Sequence, residues 1–387
     1  MKKFERRGCG EDSTFEIEIR KERRPSCNGA ETRYRPETYF MVNQTAPLET
    51  PPAPETASDV AAIDRLGAVS RKMREQLARV IIGQEEVVER LLISIFGRGH
   101  ALLVGVPGLA KTLLVRSLAD AMSLQFSRIQ FTPDLMPSDI TGTEILQETD
   151  QPGRRRFEYV KGPIFANVVL ADEINRAPPK TQSALLEAMQ EHRVTAGGHL
   201  YQLPAPFFVL ATQNPVEQEG TYPLPEAQLD RFMFLIHVGY PSEAEEGRIA
   251  RETTGGVPAL IEKTIDGEEL IRFQEVVRRV PVPDHIYDFV VELVRRSRPG
   301  TEKAPEWIRD LVTWGAGPRA VQYLILGAKA RAALQGSYLV RIEDIEALAE
   351  PVLVHRILTS FHAESEGITS REIIKRLLEE ARTDARA

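Results

Sequence analysis

Residues 101–118 read ALLVGVPGLAKTLLVRSL: a short apolar run, a glycine-bearing loop, and the opening turns of an apolar-periodic segment. The spacing predicts a buried strand over Ala101–Val104 and a helix starting beside Lys111 and Thr112, with Leu113, Leu114 and Leu118 as its apolar positions. The loop Gly105-Val106-Pro107-Gly108-Leu109-Ala110-Lys111-Thr112, with Leu113 behind it, turns backbone N–H groups and a helix N-terminus toward one concavity that favours a polyanion. Lys111 is expected to reach the β- and γ-phosphates of a nucleotide, and the Thr112 hydroxyl to bind Mg²⁺. Where the strict phosphate-loop spacing has a second glycine, this chain has Ala110; an alanine can hold a helical backbone angle, so the reading stands. The plainer alternative is an ordinary strand-to-helix turn.

A second signal bears on that choice. Val168-Val169-Leu170-Ala171-Asp172-Glu173 is an apolar run ending in two carboxylates, and Asp172 follows Lys111 by 61 positions, room for the helix and strand that a parallel sheet needs between them. Acids at the carboxyl end of a central strand lie at the crevice where open α/β sheets bind ligands. Asp172 is expected in the Mg²⁺ shell and Glu173 as the group that polarises the attacking water, the division of labour of phosphoryl transfer. The alternative is a strand ending in solvated acids.

The chain has 387 residues, enough for two or three domains, with 42% hydrophobic and 27% charged residues, both globular values. A net charge of −7 gives no global pull toward nucleic acid or anionic lipid. The charged start, Met1-Lys2-Lys3, leads into no apolar leader, and no run of about 18 apolar residues is present to insert into a membrane, so the expected location is the cytoplasm. Cys9 and Cys27 have no metal-ligand spacing and receive no role.

Residues 1–58 mix charge, proline and polar side chains without periodicity and read as a disordered or linker tail. Two readings compete: a regulatory tail, or upstream sequence joined to a protein that starts near Met41. Residues 14–20 alternate like a strand with no partner nearby. Residues 59–240 read as an α/β nucleotide-binding core. It opens with a helix over 61–79, then Val80-Ile81-Ile82-Gly83-Gln84, whose apolar residues either enclose a base or pack the core, and a second helix over 87–96. A strand over 126–131 follows the loop helix, then a hairpin over 140–160 with a turn at 150–153. Arg154, Arg155 and Arg156 read as a solvated tip or as a loop that grips substrate or DNA. After the acidic strand come a helix opening at Pro178-Pro179, a second hairpin near 194–201, and a buried strand over 207–215 whose polar end, Asn214, arrives beside the water at Glu173. A helix ending in Asp230-Arg231-Phe232 leads into the last strand, 232–238.

Residues 241–387 lack strand character and read as helices over 243–251, 267–278, 284–296, 307–314, 318–335, 341–355 and 370–382. Gly317-Pro318-Arg319-Ala320 places a cation at a helix N-terminus, which is unfavourable unless an anion sits there. Arg319 is therefore expected to face a phosphate, against the alternative of an exposed surface arginine.

The loop at 105–112, Leu170-Ala171-Asp172-Glu173-Ile174-Asn175-Arg176-Ala177-Pro178-Pro179 and the helix after it, Ala211-Thr212-Gln213-Asn214-Pro215, the stretch 220–232 ending in Leu229-Asp230-Arg231-Phe232, and Gly317-Pro318-Arg319-Ala320 together resemble the MoxR branch of the AAA+ ATPases over about residues 60–360. The alanine at 110 belongs to the form of the loop that the family shows. The resemblance implies an α/β core with a five-stranded parallel sheet and inserted β-hairpins, an all-α lid domain, ATP and Mg²⁺ as cofactors, and a homo-oligomeric ring, usually a hexamer. Carried onto this chain, it implies that Asn214 is the first sensor, Arg231 an arginine finger and Arg319 the second sensor. The implied activity is ATP-driven, chaperone-like remodelling or activation of client proteins, commonly ones with a von Willebrand factor A domain. Two other readings stay open: a metal-chelatase or DNA-directed motor subunit on the same core, and an ATP-responsive scaffold with little turnover.

Overall fold

The computed structural model describes residues 56–148, 155–216, 220–255 and 260–384. The readings made for the tail, including Cys9, Cys27, Met41 and the strand-like run at 14–20, fall outside those residues, as do Arg154 and the turn at 150–153. The first helix, α1 (Thr56–Ala78), takes in the last three residues of the stretch read as tail.

Five parallel strands make the central sheet: β1 (Ala101–Val104), β2 (Phe126–Gln130), β5 (Val168–Asp172), β8 (Phe208–Gln213) and β9 (Phe234–His237), in the order β2-β5-β8-β1-β9. Parallel pairing needs a crossover between neighbours, and the crossovers put helices on both faces, so the middle strands β5 and β8 are buried nearly throughout and read as apolar runs with polar residues at their carboxyl ends. The two-residue period assigns each side chain to a face. Leu103, Leu170 and Leu210 pack on one side with Phe96, Leu114 and Leu118; Leu102, Val169 and Val209 pack on the other with Phe131, Leu185 and Leu186. Each leucine so buried contributes roughly 1.5–3 kcal/mol.

Helices α2 (Glu85–Phe96), α3 (Lys111–Ala121), α4 (Pro137–Thr141), α5 (Pro179–Glu191) and α6 (Glu226–Leu229) complete this half. Two antiparallel hairpins are inserted into it: β3 (Gly142–Glu148) with β4 (Arg155–Lys161), and β6 (Arg193–Ala196) with β7 (His199–Gln202). They lean on each other through Tyr159 and Tyr201, whose rings stack 4.1 Å apart. The helix read as ending at Arg231 is shorter than expected: it stops at Leu229, and Asp230 and Arg231 lie in the turn before β9.

The second half is built on α7 (Glu243–Thr254), α8 (Gly267–Arg279), α9 (Asp284–Arg296), α10 (Glu306–Leu311), α11 (Pro318–Leu334), α12 (Ile342–Leu353), α13 (Phe361–Ser365) and α14 (Ser370–Asp384). Local chemistry sets several starts. Ser242 and Glu245 form a capping box on α7, and Asp266 accepts from Glu269 N at 2.9 Å on α8. Along α9 the buried residues Ile286, Phe289, Val290, Leu293 and Val294 keep the helical period that made it legible. One helix reading needs correcting. The segment read as helical over 307–314 stops at Leu311, and β10 (Val312–Trp314) pairs antiparallel with β11 (Leu358–Thr359). Three residues are too few to display a period, and the pairing partner is far downstream, so nothing local announces this ribbon. Among the described residues no helix is long and apolar enough to cross a membrane.

Candidate functional site

The parallel sheet has two ends, and the singled-out residues divide between them. At the carboxyl end, β1 runs directly into the loop. Gly105 abuts the strand after it: a Cβ there would come 2.6 Å from Val238 O, which only glycine avoids. Gly108 has φ +87, which favours glycine, and a Cβ built on it meets nothing within 4 Å. Ala110 has φ +53 and ψ 22, left-handed rather than helical. The expectation that alanine succeeds here by holding a helical angle is thus corrected: this position does ask for glycine, and alanine bears a strain of about 1–2 kcal/mol. Leu109 is buried beneath the loop, and Gln84 Nε2 donates to its carbonyl at 3.4 Å, leaving Gln84 Oε1 buried without a partner. Ile81 packs into the core and Val80 against it, which favours the packing reading of that stretch.

Lys111 opens α3, and its Nζ donates to Gly105 O and, at 3.2 Å, to Val106 O. Burial lowers the pKa of the amine, while the Asp172 and Glu173 carboxylates oppose that shift. Thr112 and Leu113 follow on the first turn, with Leu113 exposed.

Asp172 ends β5 and is buried; its Oδ1 accepts from Thr212 Oγ1 at 2.6 Å, and its Oδ2 accepts from Arg128 Nε at 3.0 Å and Nη2 at 2.7 Å. Glu173 has φ +57, and its amide donates to Thr212 Oγ1 at 2.8 Å. Strained angles at such a position persist where the surroundings over-determine them. Its Oε2 accepts from Gln130 Nε2 at 2.9 Å and Arg176 Nη1 at 3.0 Å. Asn214 follows β8 at the same end, buried, its Oδ1 accepting from Val216 N at 3.1 Å. The sequence reading missed Arg128, Gln130, Thr212 and Arg176. Arg128 and Gln130 did carry a signal, alternating as polar residues within the strand at 126–131, so that both project toward the acids.

The remaining two lie at the opposite end. β1 and β9 pair with Ala101 opposite Phe234 and Val104 opposite His237, and Met233 N donates to His100 O at 2.7 Å. Arg231 therefore precedes the sheet while the loop follows it, and the strands alone separate the two by roughly 13 Å. The helix α5 returns the chain to this end, so Arg98, His192, Arg231, Arg319 and Tyr323 line one cavity of about 200 Å³. Among the described residues no carboxylate lies within ion-pair distance of the Arg231 guanidinium. Arg319 sits in the first turn of α11; the anion at 3.0 Å from its Nη1 is the Asp230 carboxylate.

His100 closes the wall of this cavity. Its Nδ1 accepts from Val209 N at 3.0 Å while Nε2 lies 3.1 Å from Met189 O, which requires the neutral ring with the proton on Nε2. Burial accordingly pushes its pKa down to about 4. His355 is buried in the same region with Nε2 against Phe232 O, and its pKa is lowered well below the ordinary histidine value, burial first and the adjacent Arg356 charge second.

The donor set at the carboxyl end fits a magnesium nucleotide. A glycine cradle, a lysine, a hydroxyl and a carboxylate suit polyphosphate and a hard cation that keeps phosphate and water among its ligands. Among the described residues no cluster of three or more acidic, histidine or cysteine side chains is placed to hold a metal ion.

The chain resembles known proteins over most of its length. Residues 100–234 match the ATPase family associated with various cellular activities (AAA), and residues 306–377 match the AAA lid domain. Chaperone MoxR1 of Mycobacterium tuberculosis is 43% identical over 304 residues, covering 79% of each chain. Protein MoxR of Methylorubrum extorquens is 32% identical over 77% of this chain and 90% of its own. A crystal structure from Cytophaga hutchinsonii that carries a provisional ATPase assignment superposes with a TM-score of 0.77 at 42% identity, covering 83% of this chain and 97% of that one.

Proposed function

The chain belongs to the MoxR family of AAA+ ATPases, and from that premise we propose that it works as a Mg²⁺-dependent, hexameric ring ATPase that remodels or activates partner proteins in the cytoplasm. One observation carries the ring: Arg231 and Arg319 lie at the end of the sheet opposite Lys111, Thr112, Asp172 and Glu173, out of reach of their own subunit's nucleotide. A neighbouring copy that seats its loop against this cavity brings the two sets together.

In that arrangement the loop amides from Gly105 to Leu113 and the Lys111 ammonium hold the β- and γ-phosphates. Thr112 and Asp172 would hold Mg²⁺, which when bound would neutralise charge on the phosphate oxygens. Glu173 orients a water and takes its proton as the oxygen attacks the γ-phosphorus, with Asn214 beside that water. Arg231 and Arg319 of the adjacent subunit stabilise the charge that develops on the transferred group. Leu146 and Phe157, paired across β3 and β4 and exposed, give the inserted hairpin an apolar surface for a client, of which von Willebrand factor A domains are the class the family resemblance suggests. No observation favours the chelatase, DNA-motor or scaffold readings over this one.

The experiment is a Glu173→Gln chain, which should keep ATP bound and hold its ring and client for identification by mass spectrometry. A variant that turns ATP over at the unaltered rate would remove Glu173 from the mechanism, and a monomer under saturating Mg·ATP would remove the ring.

A further inference from the structure

The turn that carries Arg231 has its amides held from its own half of the chain and its carbonyls from the other half. Arg356, just after α12, has a side chain only 2% exposed, and all five of its N–H donors are placed. Nε donates to Asp230 Oδ1 at 2.8 Å; Nη2 donates to Asp230 O at 2.8 Å and Phe232 O at 2.7 Å; Nη1 donates to Met233 O at 3.4 Å and to Val352 O. Tyr323, whose ring lies 5.2 Å beneath that guanidinium, donates its hydroxyl to Arg231 O at 3.0 Å. Four successive carbonyls, Asp230 through Met233, therefore accept from side chains of the helical half.

Neutralising Asp230 does not require this. Arg319 already pairs with the other oxygen of that carboxylate. A buried guanidinium is tolerated only when every donor is satisfied, and here residues 230–233 satisfy four of the five, three through backbone carbonyls and one through the Asp230 carboxylate. Arg356 and the path of residues 230–233 thus determine each other, and Arg231 sits inside that path. A lid that shifts carries this turn with it, because breaking the contact strands a charge.

We propose that Arg356 is a positioning residue for Arg231: it fixes the backbone that aims the Arg231 guanidinium and makes lid and finger one moving body. The proposal rests on the reading that Arg231 serves the nucleotide of the adjacent subunit.

Mixed rings of the full chain test it. Lys111→Ala subunits, which keep the finger, are combined with Arg231→Ala subunits, which keep the loop. Recovered hydrolysis is expected, and its absence from mixed rings seen by native mass spectrometry would overturn the trans reading and the proposal with it. Arg356→Lys is then added to one partner at a time. In the Lys111→Ala partner it should remove the recovered rate by about 10²-fold, the cost of an ångström-scale misplacement. In the Arg231→Ala partner, which has no finger to aim, the recovered rate should stay within about twofold on the same reasoning. Equal loss from both partners would make Arg356 a residue of the fold alone, and no loss from either would make it dispensable; each result overturns the proposal while leaving the trans reading intact. Should Arg356→Lys fail to fold, Tyr323→Phe removes only the hydroxyl that reaches Arg231 O. It should show a smaller loss with the same asymmetry, and symmetrical loss or none would be decisive against.

Discussion

The two ends of the central sheet are built on different plans. The carboxyl end is made of short contiguous stretches, residues 105–113, 172–173 and 212–214, each following directly from a strand that also supplies core. The amino end gathers Arg98, Asp230, Arg319, Tyr323 and Arg356, separated by up to 258 positions in the chain and joined only by tertiary packing. A site that needs several backbone N–H groups on one phosphate has to be local, because only consecutive residues aim them together. A site that delivers one guanidinium to a neighbour can be assembled from anywhere, provided the delivering turn is held.

The sharpest way to break this division of labour is Arg231→Ala. If the amino end serves the neighbour, hydrolysis should fall by about 10³–10⁵-fold while nucleotide affinity barely moves, since the finger contributes mainly in the transition state. A loss of affinity with normal turnover of the bound fraction would place Arg231 in its own subunit's binding site instead.

Glu173→Gln probes the other end and should reduce turnover by about 10²–10⁴-fold with binding retained, because a carboxamide can orient water but accepts no proton. Lys111→Ala should instead abolish binding, its amine being the point charge that meets the β- and γ-phosphates. Equal behaviour of the two variants in a fluorescent-nucleotide titration would show that the loop and the acids had been assigned the wrong tasks.

Acid should discriminate between the ends by stability. His100 and His355 are buried as neutral rings at the amino end, both with pKa values below the ordinary one, so the unfolded chain takes up protons first as pH falls. Their stabilisation is present above about pH 6.5 and is lost on descending toward pH 4, His100 alone by up to about 3 kcal/mol. Denaturant midpoints at pH 7.5, 6 and 5 should therefore fall, and hydrogen exchange should rise earliest at residues 100, 209 and 232–233. Protection lost first at the loop would contradict this ordering.

These differences also explain what was legible. The strand, loop and acid stretches were readable because periodicity and motif spacing are local properties, and the hairpins because their alternation is local too. Asn214 followed from its strand and an anion near Arg319 from its place at a helix N-terminus, whereas the finger role of Arg231 and the sensor role of Arg319 came only with family resemblance. The Arg356 contacts had no signal at all: an arginine beside a histidine at the end of α12 looks like any helix terminus. The β10–β11 ribbon was hidden for the same reason.

The smallest expected effect lies at Ala110, and it tests how much strain the local plan carries. The left-handed angle penalises alanine by about 1–2 kcal/mol relative to a residue without a Cβ. Ala110→Gly relieves that strain but returns about 0.4–1 kcal/mol of backbone freedom to the unfolded chain. The methyl group is exposed, so little packing is lost with it. The net change should be a stabilisation of between nil and about 1.6 kcal/mol, a shift in thermal midpoint of at most a few degrees. Nucleotide affinity should not decline, because the N–H groups of the loop keep their directions. Destabilisation beyond about 1 kcal/mol would mean that the Ala110 side chain holds the loop in shape, and that the carboxyl end, like the amino end, depends on a contact that its own motif does not reveal.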